Sequence, residues 1–247
     1  MNPGLDSNFP VHLRKMNTKD LVQQAYDDIL KLITERIWSG SESLSDIGLA
    51  HQLGMSRTPV RLALARLESE GLVRQAPGKG WVPCQLTVHD LEHIFDMKEA
   101  LEALVARQAA AGITAETQRA LAQALAEMQT AVTGDNLQQW CAADDAFHEI
   151  LYGIVGNDRL HECVRRLNNQ WLRYRMGYLA QENHLPTLYH QHQLIAEAII
   201  AGESNLAAEY TVQHLRHVRT SIIQIMKQVL IPFLGTAQTT AIVESTG

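Results

Sequence analysis

The run Ser56-Arg57-Thr58-Pro59-Val60-Arg61-Leu62-Ala63-Leu64-Ala65-Arg66-Leu67 constrains this chain more than any other stretch. Ser56 suits a helix N-cap, where its hydroxyl satisfies a backbone N–H of the first turn. Pro59 falls inside that turn, where a missing N–H costs nothing. Val60, Leu64 and Leu67 recur at helical spacing and form one apolar face. Arg57 and Arg61, four apart, share another face. No acidic residue interrupts the run. The pattern predicts a short helix with one buried face, one arginine face and a bare N-terminus. A surface helix with solvated arginines meets that description. So does a helix that enters the DNA major groove, where its N-terminus and arginines take phosphates and arginine reads guanine edges.

The flanks favour the second reading. Upstream, Leu44–Leu53 reads as a helix, and Gly54-Met55 as a tight turn into Ser56. That is helix-turn-helix spacing. Downstream, Gly71 stops the helix. Leu72-Val73-Arg74 and Trp81-Val82 then flank Ala76-Pro77-Gly78-Lys79-Gly80, which reads as a hairpin with Lys79 near its tip.

Residues 17–84 thus resemble the winged helix-turn-helix of GntR-type bacterial transcription regulators. The resemblance rests on Leu49-Ala50, Leu53-Gly54, Ser56 to Arg61, Ala63-Leu64, Leu67, Glu70-Gly71-Leu72-Val73 and Gly80. It implies that the helix from Ser56 is the recognition helix, with Arg57 and Arg61 as its main DNA contacts. The candidate DNA-binding residues are Ser56, Arg57, Thr58, Arg61, Lys79 and Gly80. Three features depart from the family pattern: the shorter Ser39-Gly40-Ser41-Glu42-Ser43 stands where a Pro-Gly turn usually precedes the second helix, Ile47 where an arginine is common, and Leu62 where an acid often follows the second arginine.

With 247 residues the chain has room for two cores. Net charge is -6, yet residues 1–84 carry ten basic and nine acidic side chains, and the rest eleven and eighteen. A near-neutral head on an acidic body binds DNA through local contacts rather than bulk attraction. Nothing resembles a signal peptide or a membrane span, and Cys84, Cys141 and Cys163 are too widely spaced for a metal pair. A cytoplasmic protein with reduced thiols is expected.

Residues 1–16 lack periodicity and read as a flexible arm. A first helix runs from Thr18 to Trp38, with Leu21, Ala25, Ile29 and Leu32 or Ile33 inside. Residues 85–89 form a linker. Residues 90–231 carry six helical patterns and no strand pattern: Thr87 to Ala111, Thr114 to Gly134, Asn136 to Val155, Asp158 to Ala180, Leu185 to Gly202, and Ser204 to Leu230, with Pro232 as a stop. The expected fold is mostly α: an N-terminal winged helix-turn-helix followed by an antiparallel six-helix bundle. Residues 235–247 read as a disordered tail.

The third body helix places Asp144 and His148 in its apolar stripe with Trp140, Phe147 and Leu151. The fifth places His192 beside Leu188, Ile195 and Ile199. The sixth places His214 beside Tyr210, Val218 and Ile222. Buried polar groups are costly unless satisfied. A core histidine held by a hydrogen bond explains any one of them. Four such groups on three helices also fit a shared divalent ion, because imidazoles and a carboxylate are ordinary ligands and bundle cores hold such sites.

Residues 90–231 resemble the helical FCD effector domain of the FadR subfamily of GntR regulators. The resemblance rests on Leu101-Glu102, Asp144 to Leu151, Gly156-Asn157, His192, Ile195, Glu197-Ala198-Ile199, Gly202 and His214-Leu215. It implies Asp144, His148, His192 and His214 as metal ligands, with zinc first and nickel or manganese open. It also implies a small organic-acid effector, gripped by a basic residue at the position of Lys98, and a homodimer on an inverted-repeat operator. The expected function is a DNA-binding transcription regulator, a repressor, with no enzymatic activity. The alternatives are a sensor of the ion itself and a metal-dependent hydrolase. For Lys98, a solvated pair with Glu102 is the competing expectation.

Overall fold

The computed structural model describes residues 17–34, 43–180 and 184–230, the side chains of residues 229 and 230 excepted. The expected arm, the end of the first helix at Trp38, the loop over 39–42, the stop at Pro232 and the tail lie outside the described residues. The chain divides into two compact units, residues 1–83 and 84–247.

The first unit comprises α1 (Thr18–Thr34), α2 (Asp46–Gln52), α3 (Arg57–Ser69), β1 (Val73–Ala76) and β2 (Gly80–Pro83). In α1 the buried face is Ala25, Tyr26, Ile29 and Ile33, so Ile33 rather than Leu32 completes the stripe. It meets Val60, Ala63, Leu64 and Leu67 of α3 in one core. Ser45 caps α2 by accepting from the Gly48 amide at 2.8 Å. Helix α2 is therefore shorter than the Leu44–Leu53 pattern. Leu44 instead pairs with Trp81 across an antiparallel bridge, drawn into the wing by a partner distant in sequence. In the hairpin Val73 faces Pro83 and Ala76 faces Gly80.

The second unit holds α4 (Val88–Gly112), α5 (Ala115–Thr133), α6 (Leu137–Val155), α7 (Asp158–Leu179), α8 (His184–Ile200) and α9 (Ser204–Ile225), the last continued by a π-helical turn over Met226–Leu230. Side chains fix the starts. Thr87 and Asp90 form a capping box at α4, Thr114 and Thr117 do so at α5, and Asn136 and Asn157 cap α6 and α7. Gly156, at φ 62°, ends α6 in a left-handed turn. One apolar core runs through all six helices, with Phe95, Leu121, Met128, Trp140, Phe147 and Ile199 among its most buried members. Along α4 the buried face carries Lys98 and Glu102, while Met97 and Leu104 are exposed. Among the described residues no helix is long and apolar enough to cross a membrane.

Candidate functional site

Helix α3 presents Arg57, Thr58, Arg61 and Leu62 to solvent and buries Pro59, Val60, Ala63 and Leu64. Ser56 occupies the N-cap position, but its hydroxyl makes no capping hydrogen bond. This corrects the sequence expectation. The Ser56 side chain leaves the first-turn amides of α3 without its cap, and free first-turn amides are what an anion needs at a helix N-terminus. Arg57 donates to the Asp46 carboxylate at 2.9 Å, and that bond holds the Asp46 carboxyl below the usual carboxylate range. Lys79 is exposed in the hairpin turn. Gly80 has φ 86°, and a Cβ there would stand 2.7 Å from the Leu44 carbonyl oxygen, so the wing requires glycine at this point. Arg66 faces elsewhere: it donates to Glu70 and Gln23 and lies over the Tyr26 ring.

In the second unit, a cavity of about 280 Å³ is bounded by α4, α6, α7, α8 and α9. Its wall brings together Asp144, His148 and His192, with ligand atoms all within 4.8 Å of one another. His214 stands beside them, its ring centroid 4.7 Å from that of His192, although it is not part of that closest set. The ring nitrogens are placed with unequal partners. His192 Nδ1 lies 2.8 Å from the Leu188 carbonyl oxygen, and His214 Nδ1 lies 2.8 Å from Gln191 Oε1. With Nδ1–H donating in each, Nε2 carries the lone pair. His192 Nε2 is buried and makes no hydrogen bond among the described residues, yet Asp144 Oδ1 is 2.9 Å away. Two electron-pair donors so close repel unless a cation or proton lies between them. His148 Nε2 is 3.9 Å from Asp144 Oδ1, and its Nδ1 is 3.9 Å from Glu102 Oε2.

The protonation states suit a cation. Burial pushes the His148 and His214 imidazoles down, His214 more strongly, so both are neutral at pH 7. Burial alone would raise the Asp144 carboxyl; the Arg175 guanidinium beside it outweighs that and holds this group well below the carboxylate range. Three imidazoles and one carboxylate, anchored from behind by a carbonyl and an amide, form a donor set that fits a borderline divalent ion.

Lys98 is buried, not solvated. It donates to Glu102 Oε1 at 2.5 Å and to Asn168 Oδ1, and lies 5.6 Å from the centre of the Trp171 ring. It therefore reaches the cavity already paired. Two residues not singled out in the sequence complete the wall. Arg175 of α7 donates to Asp144 Oδ2 at 2.6 Å and to Asp145 Oδ1 at 2.8 Å. Tyr178 presents a buried hydroxyl with no hydrogen-bond partner among the described residues, and burial pushes its pKa up. For Arg175 the sequence offers an arginine-rich helix and no local partner. For Tyr178 it offers only an apolar position.

Residues 21–82 match the gntR family of bacterial regulatory proteins, and residues 93–217 match the FCD domain. An uncharacterized HTH-type transcriptional regulator from the TAR-I ttuE-ttuC' intergenic region of Agrobacterium vitis is 40% identical over 133 residues, covering 53% of this chain and 78% of that one. The HTH-type transcriptional repressor RspR of Escherichia coli is 25% identical over 213 residues, covering 85% and 92%. Among solved structures, E. coli McbR/YncC superposes with a TM-score of 0.74 at 21% identity, over 83% of this chain and 97% of that one. That likeness extends the agreement to the fold. With one profile on each unit, the chain belongs to the GntR family of bacterial transcription regulators, in the group whose helical half is an FCD domain.

Proposed function

We propose that this protein is a homodimeric transcriptional repressor that binds an inverted-repeat operator and releases it when a small carboxylate metabolite enters the FCD cavity beside a divalent ion. The observation that carries the reading is the convergence of Asp144, His148 and His192 on the cavity wall, their ligand atoms within 4.8 Å of one another and His192 Nε2 2.9 Å from Asp144 Oδ1. Asp144, His148, His192 and His214 would hold the ion, with zinc the first candidate and nickel or manganese the alternatives. Three cationic and four anionic side chains line the cavity, Lys98, Arg165 and Arg175 against Glu102, Asp144, Asp145 and Glu149. A divalent ion reverses that surplus and supplies an electrophilic centre for a carboxylate.

This chain's own groups do the rest. Arg175 holds the second oxygen of Asp144, which leaves the first facing His192. Tyr178 offers its hydroxyl, unpartnered among the described residues, to an effector oxygen. Lys98, tied to Glu102, lines the cavity and would meet the effector carboxylate. Met97 and Leu104, exposed on one face of α4 with half-buried Leu101 between them, supply an apolar stripe for a second copy. On the DNA-binding unit, Arg57 and Arg61 read base edges, while the amides after Ser56, Thr58 and the wing residues Lys79 and Gly80 meet phosphates. The protein works in the cytoplasm.

The test is metal content after purification and after dialysis against zinc, nickel or manganese. The wild type should hold about one ion per chain, and Asp144→Ala and His214→Ala should each lose most of it. Full occupancy in both variants refutes the ligand set. An ion that leaves on simple dilution supports the sensing alternative.

A further inference from the structure

Among the described residues of the DNA-binding unit, the large apolar side chains left exposed are Ile47, 60% accessible, and Leu62, 50% accessible. Isolated exposed aliphatic residues are ordinary on a protein surface. These two are not isolated from the recognition helix. Leu62 follows Arg61 and lies one turn after Thr58, on the solvent face of α3 opposite Val60 and Leu64. Ile47 follows Asp46 in the first turn of α2, and the Asp46 carboxylate is 2.9 Å from Arg57 Nη2. That ion pair brings the start of α2 against the start of α3. Ile47 therefore stands at the end of α2 that meets Arg57, and Leu62 stands next to Arg61 on the exposed side of α3.

The DNA major groove displays one apolar feature, the C5-methyl of thymine. We propose that Leu62 and Ile47 are specificity-determining residues that pack on thymine methyls, so that the half-site carries A·T pairs next to the G·C pairs taken by Arg57 and Arg61. The inference rests on the recognition-helix reading given above. It assigns to this surface a mixed chemistry: guanidinium donors for guanine, aliphatic carbon for thymine. Burying an exposed aliphatic group on a methyl replaces two wetted apolar surfaces with one contact, which is favourable in proportion to the area covered.

The experiment uses the full chain and the sequence it enriches from a random duplex pool. Each thymine of that operator is replaced in turn by deoxyuridine, which removes the methyl and keeps the base pair. For the wild type, symmetric replacement at one or two positions per half-site should weaken binding about fourfold for each methyl lost, the ratio that roughly 0.8 kcal/mol per carbon gives. Leu62→Ser should abolish the uracil effect at one position, and Ile47→Ser at another. Both residues are exposed, so neither change threatens the fold.

An operator without thymine in the contacted positions overturns the inference. So does a wild type indifferent to every uracil, or a uracil effect that persists in both serine variants. Binding that requires Arg57 but ignores thymine methyls defeats this inference alone. Binding that ignores Arg57, or no enriched sequence at all, defeats the recognition-helix reading with it.

Discussion

Replacing Arg175 with methionine tests the electrostatic design of the cavity. The guanidinium is 10% exposed and bridges Asp144, 17% exposed, and Asp145, 64% exposed. The Asp145 branch faces water and is worth about 0–1 kcal/mol. The Asp144 branch is enclosed, and removing one partner of a buried pair costs about 3–5 kcal/mol because the other charge is left uncompensated. Partial exposure of Asp144 places the expected loss near the lower end, about 3 kcal/mol. For a chain of this size, each kcal/mol moves the midpoint by about 2–4 °C, so chelator-treated Arg175→Met should melt roughly 6–12 °C below the chelator-treated wild type. The melting curve of the helical unit, followed by circular dichroism, reads this directly. Saturating zinc supplies the missing positive charge at Asp144, so the deficit should fall to roughly half or less. Arg175→Lys, which keeps the charge but loses the fork, should fall between the two. No deficit without metal would show that Arg175 does not balance Asp144, and an equal deficit with and without metal would show that the ion does not take its place.

Further outcomes follow from named positions. Gly80→Ala forces a Cβ to within 2.7 Å of the Leu44 carbonyl oxygen at φ 86°, and should cost the DNA-binding unit about 1–3 kcal/mol in denaturant unfolding; an unchanged midpoint contradicts the placement of the wing. Stability of the metal-free protein should fall with acid in two stages. His148 and His214 have pKa values lowered by burial, so the unfolded chain takes protons near pH ~6.5 that the folded one refuses, and stability declines as pH drops below about 7. Asp144, also lowered, adds a loss below about pH 4, where the unfolded carboxyl protonates first. Melting temperatures recorded from pH 8 to about pH 2 check both signs, and a midpoint that rises between pH 7 and 5.5 contradicts the first.

Local chemistry made much of this fold legible in advance. The caps at Thr87, Thr114, Asn136 and Asn157 and the left-handed turn at Gly156 are short-range features, and each bounds a helix where its residue type suits that place. The apolar spacing of Val60, Leu64 and Leu67 likewise fixes which side of α3 is buried. Legibility failed where the partner is distant in sequence. Leu44 continues a helical pattern, but Trp81 takes it into the hairpin. Met97 and Lys98 fit the period of α4 equally well, and only Glu102 together with Asn168 of α7 makes the lysine the buried one. In the cavity, helical spacing brings out Asp144, His148, His192 and His214 because polar residues interrupt apolar stripes. It passes over Arg175, whose stripe is rich in arginines and whose carboxylates lie on another helix. Ser56 shows the same limit at one residue: its type suits a cap, and its hydroxyl does not form one.

Selection of bound sequences from a random duplex DNA pool, run with the wild type and with Arg57→Ala, tests the central claim most directly. The expected result is an enriched inverted repeat whose half-sites lie on one face of the helix and which vanishes with Arg57→Ala, while the circular dichroism of the variant matches the wild type. An Arg57→Ala protein that enriches the same repeat with the same affinity would contradict the assignment of α3 as the helix that reads DNA.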